Sequence, residues 1–510
     1  MTATAARTVL VAFVALATPA AFTSAQPPGQ TAIVGATVID PAGATTPDAT
    51  VLILGNRIQQ VGPRSGVRIP AGTAVMDATG KFVVPGLIDA HVHFFQSGGL
   101  YTRPDVYDLT ARLSYAEEQR VNKARLDETF ARFLRSGVTG VVDVGGPFWN
   151  FDVRDRAQRS ALAPRVAVTG PLISTVAREA LDLGDPPIVR AGTPEEARAL
   201  VRREAARKPD FIKVWFVVSK EETVEKGTPI VRAAAEEAHA LGLRVAVHAF
   251  DLAAAKAALA AGADILVHSV SDVEVDEAFL QLARARRAVY VPTLIVVEDY
   301  FRTASGQLAF TFEELAWGDP WAVGSLLDLA HIPEDQLPAR LKGRRGKPIA
   351  PNPVLARNLL KVFRAGIPVA MGTDSGNIGT LHGASVFREM AEMEAAGLTP
   401  LDVLGAATAG GALVMGRAGE LGRVSEGALA DLLVLDADPR LGTHNLARIH
   451  RVVRDGTVLD PATILPDSPE VLAQRQLNAY NVRDVEAFLA PYATDVEILA
   501  LDGTVRLKGI

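Results

Sequence analysis

Residues 85–93 read Pro-Gly-Leu-Ile-Asp-Ala-His-Val-His, and the fold follows from where this run puts its two imidazoles. A Pro-Gly breaker opens a short apolar strand that ends in Asp89-Ala90-His91-Val92-His93. Side chains along a strand alternate faces, so His91 and His93 project to the same side. Two imidazoles aimed at one point suit a divalent metal. For an isolated His-x-His, two half-buried histidines bonded to backbone would be the plainer reading.

The pair is not isolated. His248 ends the strand-like run RVAVHAF (residues 244–250), and His268 ends DILVHSV (264–270). Asp374 ends PVAMGTDSG (368–376), and Lys213 interrupts DFIKVWF (210–216). Each polar residue breaks an otherwise apolar strand at its C-terminal end. In a parallel α/β barrel those ends share one mouth, where active sites are built. Burying Asp or Lys there unpaired would cost about several kcal/mol, so each is expected to be paired or metal-bound.

Outward from these runs, strand-like segments begin near Phe82, Gly137, Arg165, Asp210, Arg244, Ala263, Ala288 and Pro368. Helical stretches separate them, including residues 230–241 and the alanine-rich 252–261, and several close on a glycine such as Gly262 or Gly366. Eight strands with helical crossovers predict a (β/α)8 TIM barrel over residues 85–411. The alternative is a doubly wound open sheet, but no glycine-rich phosphate loop follows the first strand. The stretch from Tyr300 to Pro353 is long, polar and turn-rich: either a lid over the mouth or a surface excursion.

The flanks have another texture. Residues 31–40 and 50–61, and later 427–435 and 449–459, are β-branched and bounded by breakers. Residues 1–25 carry Arg7 before a small apolar run (9–22), with small residues ahead of Gln26-Pro27-Pro28. This pattern predicts a signal peptide cleaved after Ala25, hence a periplasmic or secreted protein, rather than a short anchor. No other run is long and apolar enough to span a membrane. Residues 466–510 read as a separate start: two short helices joined at 481–484, then a strand near 496–501.

Composition narrows the function. The 510 residues are 48% hydrophobic and 22% charged, with a formal net charge of -6 that offers no basic surplus for nucleic acid. The absence of cysteine removes disulfides, thiolate ligands and a cysteine nucleophile, so any metal must be held by His, Asp, Glu or a modified Lys.

With these residues in place, the chain resembles the amidohydrolase superfamily, in the branch of imidazolonepropionase-like proteins and Xaa-Pro dipeptidases. PGLIDAHVH, the strand-end His248 and His268, GTDS (372–375), TP through AAT (399–408) and GALADLLVLDADP (427–439) carry the resemblance. It implies a barrel flanked by a small composite β-sandwich (26–84 and 412–465). It also implies His91, His93 and Asp374 on the more buried of two zinc-like divalent ions, and His248 and His268 on the second. Lys213 would bridge them as an N-carboxylated lysine. A single metal with unmodified Lys213 remains open, and some histidines would then face substrate.

The implied chemistry is hydrolysis of an amide-type C–N bond by metal-activated water. Asp374 would carry the proton, and the carbonyl would be polarised by a metal or by His268. His382, after the eighth strand, is a substrate-orienting candidate or a loop-stabilising one. Tyr300 is a candidate for the mouth. His239, His331, His444 and His450 are not expected to do chemistry. After Lys213, the bulky Val214-Trp215-Phe216 stands where relatives often have a glycine-rich turn, so substrate identity does not carry over. Dipeptides with a free carboxylate lead, with cyclic amides, lactones and phosphotriesters behind them. A non-catalytic binding barrel is the rival class. The partner is then a small molecule or dipeptide, and a homo-oligomer stays open. The last segment resembles the start of a SnoaL-like, nuclear-transport-factor-like domain (run 476–492).

Overall fold

The computed structural model describes residues 29–41, 45–499 and 504–509. The leader expected over residues 1–25 lies outside them. The N-terminal side supplies β1 (Gln30–Ile39), β2 (Thr45–Leu54), β3 (Arg57–Pro63), β4 (Ala74–Asp77) and β5 (Phe82–Pro85). The middle supplies β6 (Leu87–Val92), β7 (Val138–Asp143), β8 (Arg165–Val168), β9 (Leu172–Ser174), β10 (Ile188–Arg190), β11 (Ile212–Trp215), β12 (Val245–His248), β13 (Ile265–Val267) and β14 (Val289–Val291). Then come β15 (Leu432–Leu435), β16 (Ile449–Arg454) and β17 (Thr457–Leu459).

Strands from both flanks share one eight-stranded sheet, in the order β17-β16-β15-β5-β1-β2-β3 with β4 beside β1. β15 runs antiparallel to both β5 and β16, which joins the two ends of the chain. The run Leu432 to Leu435 is apolar throughout because both of its faces are covered. Leu432 and Val434 pack with Ile33, Val51 and Val83, while Leu433 and Leu435 face the helix-rich central core. Burying one such leucine stabilises the junction by about 1.5–3 kcal/mol.

The central strands are parallel and alternate with helices, so the chain is α/β. They form a three-stranded sheet, β6-β7-β8, and a six-stranded sheet, β10-β9-β11-β12-β13-β14. Residues 368–375 run between them. Tyr290 N–H donates to Pro368 O (2.9 Å), and Ala90 N–H donates to Met371 O (2.9 Å). The segment makes only isolated bridges, at Val369 with Tyr290 and Ser375 with Val92, and is not a regular strand. A closed eight-stranded ladder is therefore not present among the described residues. Two physical causes lie in the segment: Pro368 has no N–H to give, and Asp374 turns to φ +62°.

Three other expectations are corrected. Residues 82–85 belong to the flanking sheet, and the strand carrying the histidine pair starts at Leu87. β9 and β10 are additional strands that their short length hid. Residues 300–353 are mostly helical, with helices Val296–Ser305, Phe312–Trp317 and Pro320–Asp328. Leu315, Val323, Leu326 and Leu341 bury against Leu100, Ile378 and Leu381 in a core of their own.

At the C-terminal end, helix Pro469–Val482 stops at Arg483 (φ +61°), and helix Val485–Leu489 follows. Asn478 anchors the longer helix by donating to Pro320 O at 2.7 Å. A hairpin, Glu497–Leu499 with Val505–Lys508, comes last. No helix among the described residues is long and apolar enough to cross a membrane.

Candidate active site

The ends of β6, β11, β12 and β13 and the 368–375 segment converge on one cavity of about 320 Å³. His91, His93, Lys213, His248, His268 and Asp374 all line it. Strand alternation explains the selection. Lys213 and Trp215 face the cavity, while Val214 and Phe216 turn into the core. Of the bulky run after Lys213, only Trp215 reshapes the pocket.

Asp374 is the centre. Its Oδ1 lies 3.2 Å from His91 Nε2 and 3.2 Å from His93 Nε2, and its Oδ2 lies 3.9 Å from His268 Nδ1. His248 closes the ring of imidazoles, its centroid 4.4 Å from that of His268. His93 Nδ1 faces Gly145 O at 2.7 Å, which leaves Nε2 for the cavity. His268 Nδ1 meets Thr293 Oγ1 at 2.7 Å.

The backbone is held out of shape to achieve this. His268, Thr293 and Asp374 all take positive φ (+78°, +45° and +62°), which costs about 1–3 kcal/mol each and is characteristic of functional sites. Gly372, in the Gly-Thr-Asp-Ser run, lies so close to β6 that a Cβ would sit 2.8 Å from His91 Cβ and 3.0 Å from His91 N. Only glycine lets the Asp374 segment approach the histidine strand this closely.

Burial sets the electrostatics. It lowers His91 to about 4 and takes His248 and His268 well below the ordinary histidine range, so all three imidazoles are neutral at pH 7. Burial also lowers Lys213 to about 7. Burial alone would raise Asp374, but the His91 and His93 rings hold its carboxylate well below the usual range. Both ring nitrogens of His91 are buried; Nδ1 meets no partner, and Nε2 meets only Asp374 Oδ1, at 3.2 Å but out of good hydrogen-bond alignment. Neutral nitrogen lone pairs facing a carboxylate, with a poorly bonded imidazole among them, are the donor set of a divalent cation. His91, His93 and Asp374 each offer a ligand atom within 4.8 Å of the others, so the residues present fit a metal.

Tyr300 lines the cavity, but its hydroxyl is occupied by Asn377 Oδ1 at 2.5 Å. His382 is outside the cavity wall. Its ring stacks on Phe94 and its Nε2 meets His93 O at 3.1 Å, so it supports the histidine strand from behind and does not line this cavity. His239 pairs with Asp264 at 2.8 Å on a helix edge.

Three residues escaped the sequence reading. Asp89, fully buried, accepts from Thr373 Oγ1 (2.6 Å), Thr373 N (3.0 Å) and His91 N (3.2 Å), stapling the two ligand segments together. Its place in Asp-x-His was the available signal. Asn377 donates to Asp374 Oδ1 at 2.8 Å, and Arg103 Nη1 donates to Asn377 Oδ1 at 3.0 Å. Neither carried a sequence signal.

The amidohydrolase family model matches residues 82–461. The chain belongs to the amidohydrolase family. An uncharacterized protein of Mycobacterium tuberculosis is 27% identical over 393 residues, covering 75% of this chain and 86% of the relative. Ochratoxinase of Aspergillus niger is 26% identical over 387 residues, 70% of each chain. Among solved structures, a Xaa-Pro dipeptidase with methionine bound in its active site superposes with a TM-score of 0.64. It is 22% identical, covering 85% of this chain and 100% of the other, a likeness of fold. Family membership makes this a hydrolase of amide-type C–N bonds, and the family is generally metal-dependent. The fold it implies is of TIM-barrel type.

Proposed function

We propose that the chain is an exported metal-dependent amidohydrolase that cleaves an amide bond in a small molecule or dipeptide carrying a free carboxylate. The carrying observation is the convergence of His91 and His93 Nε2 on Asp374 Oδ1 at 3.2 Å each, with neither buried His91 ring nitrogen in a well-formed hydrogen bond. Two divalent ions, zinc first among candidates, are assigned to this cavity. His91, His93 and Asp374 would hold one, His248 and His268 would hold the other, and Lys213, as a carbamate, would contribute to both. An amine lowered to about 7 supports that assignment, because carbamate formation needs the neutral amine. A bound divalent ion would supply Lewis acidity and water activated near neutral pH.

The chain's own groups do the rest. His93 Nδ1 against Gly145 O fixes the tautomer that presents Nε2 inward. Asp374 Oδ2, on the His268 side, is placed to take a proton and return it to the leaving amine. The carbonyl would be polarised by an ion or, if only one ion is held, by His268. Phe95, Leu172, Trp215 and Phe250 give the cavity an apolar wall that excludes water and suits a hydrophobic or aromatic group. The names of the relatives, an ochratoxinase and a Xaa-Pro dipeptidase, support an amide substrate of this size. A one-metal reading has its own support: among the described residues only His91, His93 and Asp374 lie close enough to share an ion as they stand.

The proposal extends to the rest of the chain: a leader cleaved after Ala25 and a periplasmic or secreted address. It includes a barrel-type α/β domain over 85–411 with a β-sandwich from 26–84 and 412–465. Residues 466–510 are assigned as the start of a SnoaL-like domain. The catalytic assignment is tested with Asp374→Asn on a panel of N-acyl amino acids and dipeptides. Loss of about a thousandfold or more in kcat is expected for a proton carrier that also binds metal. Retention of full turnover would remove Asp374 from the chemistry.

A further inference from the structure

The two oxygens of Asp374 meet different neighbours, and buried side chains hold one of them. Asn377 lies three residues on, 4% exposed, and its Nδ2 donates both to Asp374 Oδ1 (2.8 Å) and to Asp374 O (3.1 Å). Oδ1 is also the oxygen that faces both histidine Nε2 atoms. Oδ2 receives nothing from Asn377 and points towards His268.

Asn377 is itself held. Its Oδ1 accepts from the Tyr300 hydroxyl (2.5 Å) and from Arg103 Nη1 (3.0 Å). Arg103 fixes the amide orientation, since a flipped amide would set its NH2 against a guanidinium that can only donate, and the Tyr300 hydroxyl then donates to the same oxygen. Arg103 cannot swing away freely, because Asp105 grips its Nε and Nη2 at 2.7 Å each. Three separate segments meet here: the loop bearing Arg103, helix Val296–Ser305 and the Asp374 turn.

The geometry points to Asn377 as a positioning residue, oriented by Tyr300 and Arg103, that pins Asp374 Oδ1 to the metal side and leaves Oδ2 free for proton transfer. The role of Tyr300 is then indirect: its hydroxyl acts through Asn377 and does not grip substrate. This inference rests on the metal-hydrolase reading above. A neutral amide suits the task, because it donates to the ligand oxygen without bringing a charge that would compete with a cation. Outer-sphere partners of this kind commonly contribute about 10–100-fold to metal affinity.

The test is a double-mutant cycle on the full chain, using Asn377→Ala, Tyr300→Phe and the pair. Zn2+ dissociation constants come from equilibrium dialysis, and kcat and KM from one amide substrate. Thermal melts check folding, and Asn377→Asp, which keeps the shape but replaces the donor, stands in if the alanine variant does not fold. Asn377→Ala should weaken Zn2+ about tenfold and lower kcat with KM little changed. Tyr300→Phe alone should weaken Zn2+ by a smaller factor, about threefold, and add nothing in the Asn377→Ala background. Equal effects of Tyr300→Phe in both backgrounds, or an effect confined to KM, would assign Tyr300 to substrate and overturn the relay. Unchanged Zn2+ affinity in Asn377→Ala would overturn it too, while leaving the hydrolase reading intact. A wild-type chain that binds no metal and turns over no amide would remove both.

Discussion

Arg388→Met is the perturbation whose magnitude the structure defines best. Arg388 Nη1 and Nη2 clasp the two oxygens of Asp299 at 2.5 and 2.6 Å, and its Nε donates to Glu314 Oε1 at 3.0 Å. Both carboxylates are fully buried. Asp299 also accepts from Thr380 Oγ1 at 3.0 Å, so the triad ties three helices to the turn after Asp374.

 The three helices so joined are Val296–Ser305, Phe312–Trp317 and Val386–Ala395, and the first carries Val296 and Tyr300 of the cavity wall. Removing the cation leaves two buried carboxylates unpaired, a loss of about 3–5 kcal/mol. At about 1.4 kcal/mol per tenfold, amide hydrogen exchange in the first two helices should speed up by roughly a hundredfold to a few thousandfold. Burial already holds Asp299 up at about 6 with the arginine beside it. Its raised pKa means that the protonated form is favoured in the fold, so the penalty should be smallest at pH 5 and grow as pH rises towards 8. Exchange accelerated less than tenfold at pH 8, or a penalty that shrinks with rising pH, would refute the reasoning.

Glu389 accepts the N–H groups of Leu294 and Ile295, and burial raises it to about 8. A carboxyl raised in the folded state contributes stability that is complete below about 4.5 and is lost as pH climbs through about 8. Urea melts of wild type should therefore lose stability relative to Glu389→Gln across that window, by at most about 1.4 kcal/mol per pH unit; parallel curves would contradict the assignment. Trp215→Ala opens the apolar wall beside Lys213. It should raise KM for small aromatic substrates about tenfold and favour bulkier ones in a substrate panel; an unchanged ranking would place substrate elsewhere in the cavity.

The sequence made the strand ends legible because His248, His268, Lys213 and Asp374 each interrupt an apolar run, and the structure brings all four to the cavity with His91 and His93. The glycine at the end of helix Leu252–Ala261 was equally readable: Gly262 takes φ +122°. What failed was whatever depends on distant partners. Residues 82–85 have the same texture as β6, and only their pairing with β15 separates them. The eighth strand is apolar enough to form, yet Pro368 and the turn at Asp374 leave it irregular. Residues 300–353 read as polar and turn-rich because their apolar positions are spread over short helices that bury against distant residues such as Leu100. His382 sits where a substrate contact would be expected along the chain, but Phe94 and Phe133 enclose its ring. Asn377 is an ordinary polar residue in sequence, and its meaning lies in the 2.8 Å contact with Asp374.

The most direct test of the central claim is the metal content of the signal-free protein, measured beside that of Lys213→Ala. The account predicts about two divalent ions per chain in the wild type and fewer in the variant. One ion per chain, unaffected by the substitution, would replace the bridged pair with a single-metal site. No bound ion, even after zinc or manganese supplementation, would contradict the account.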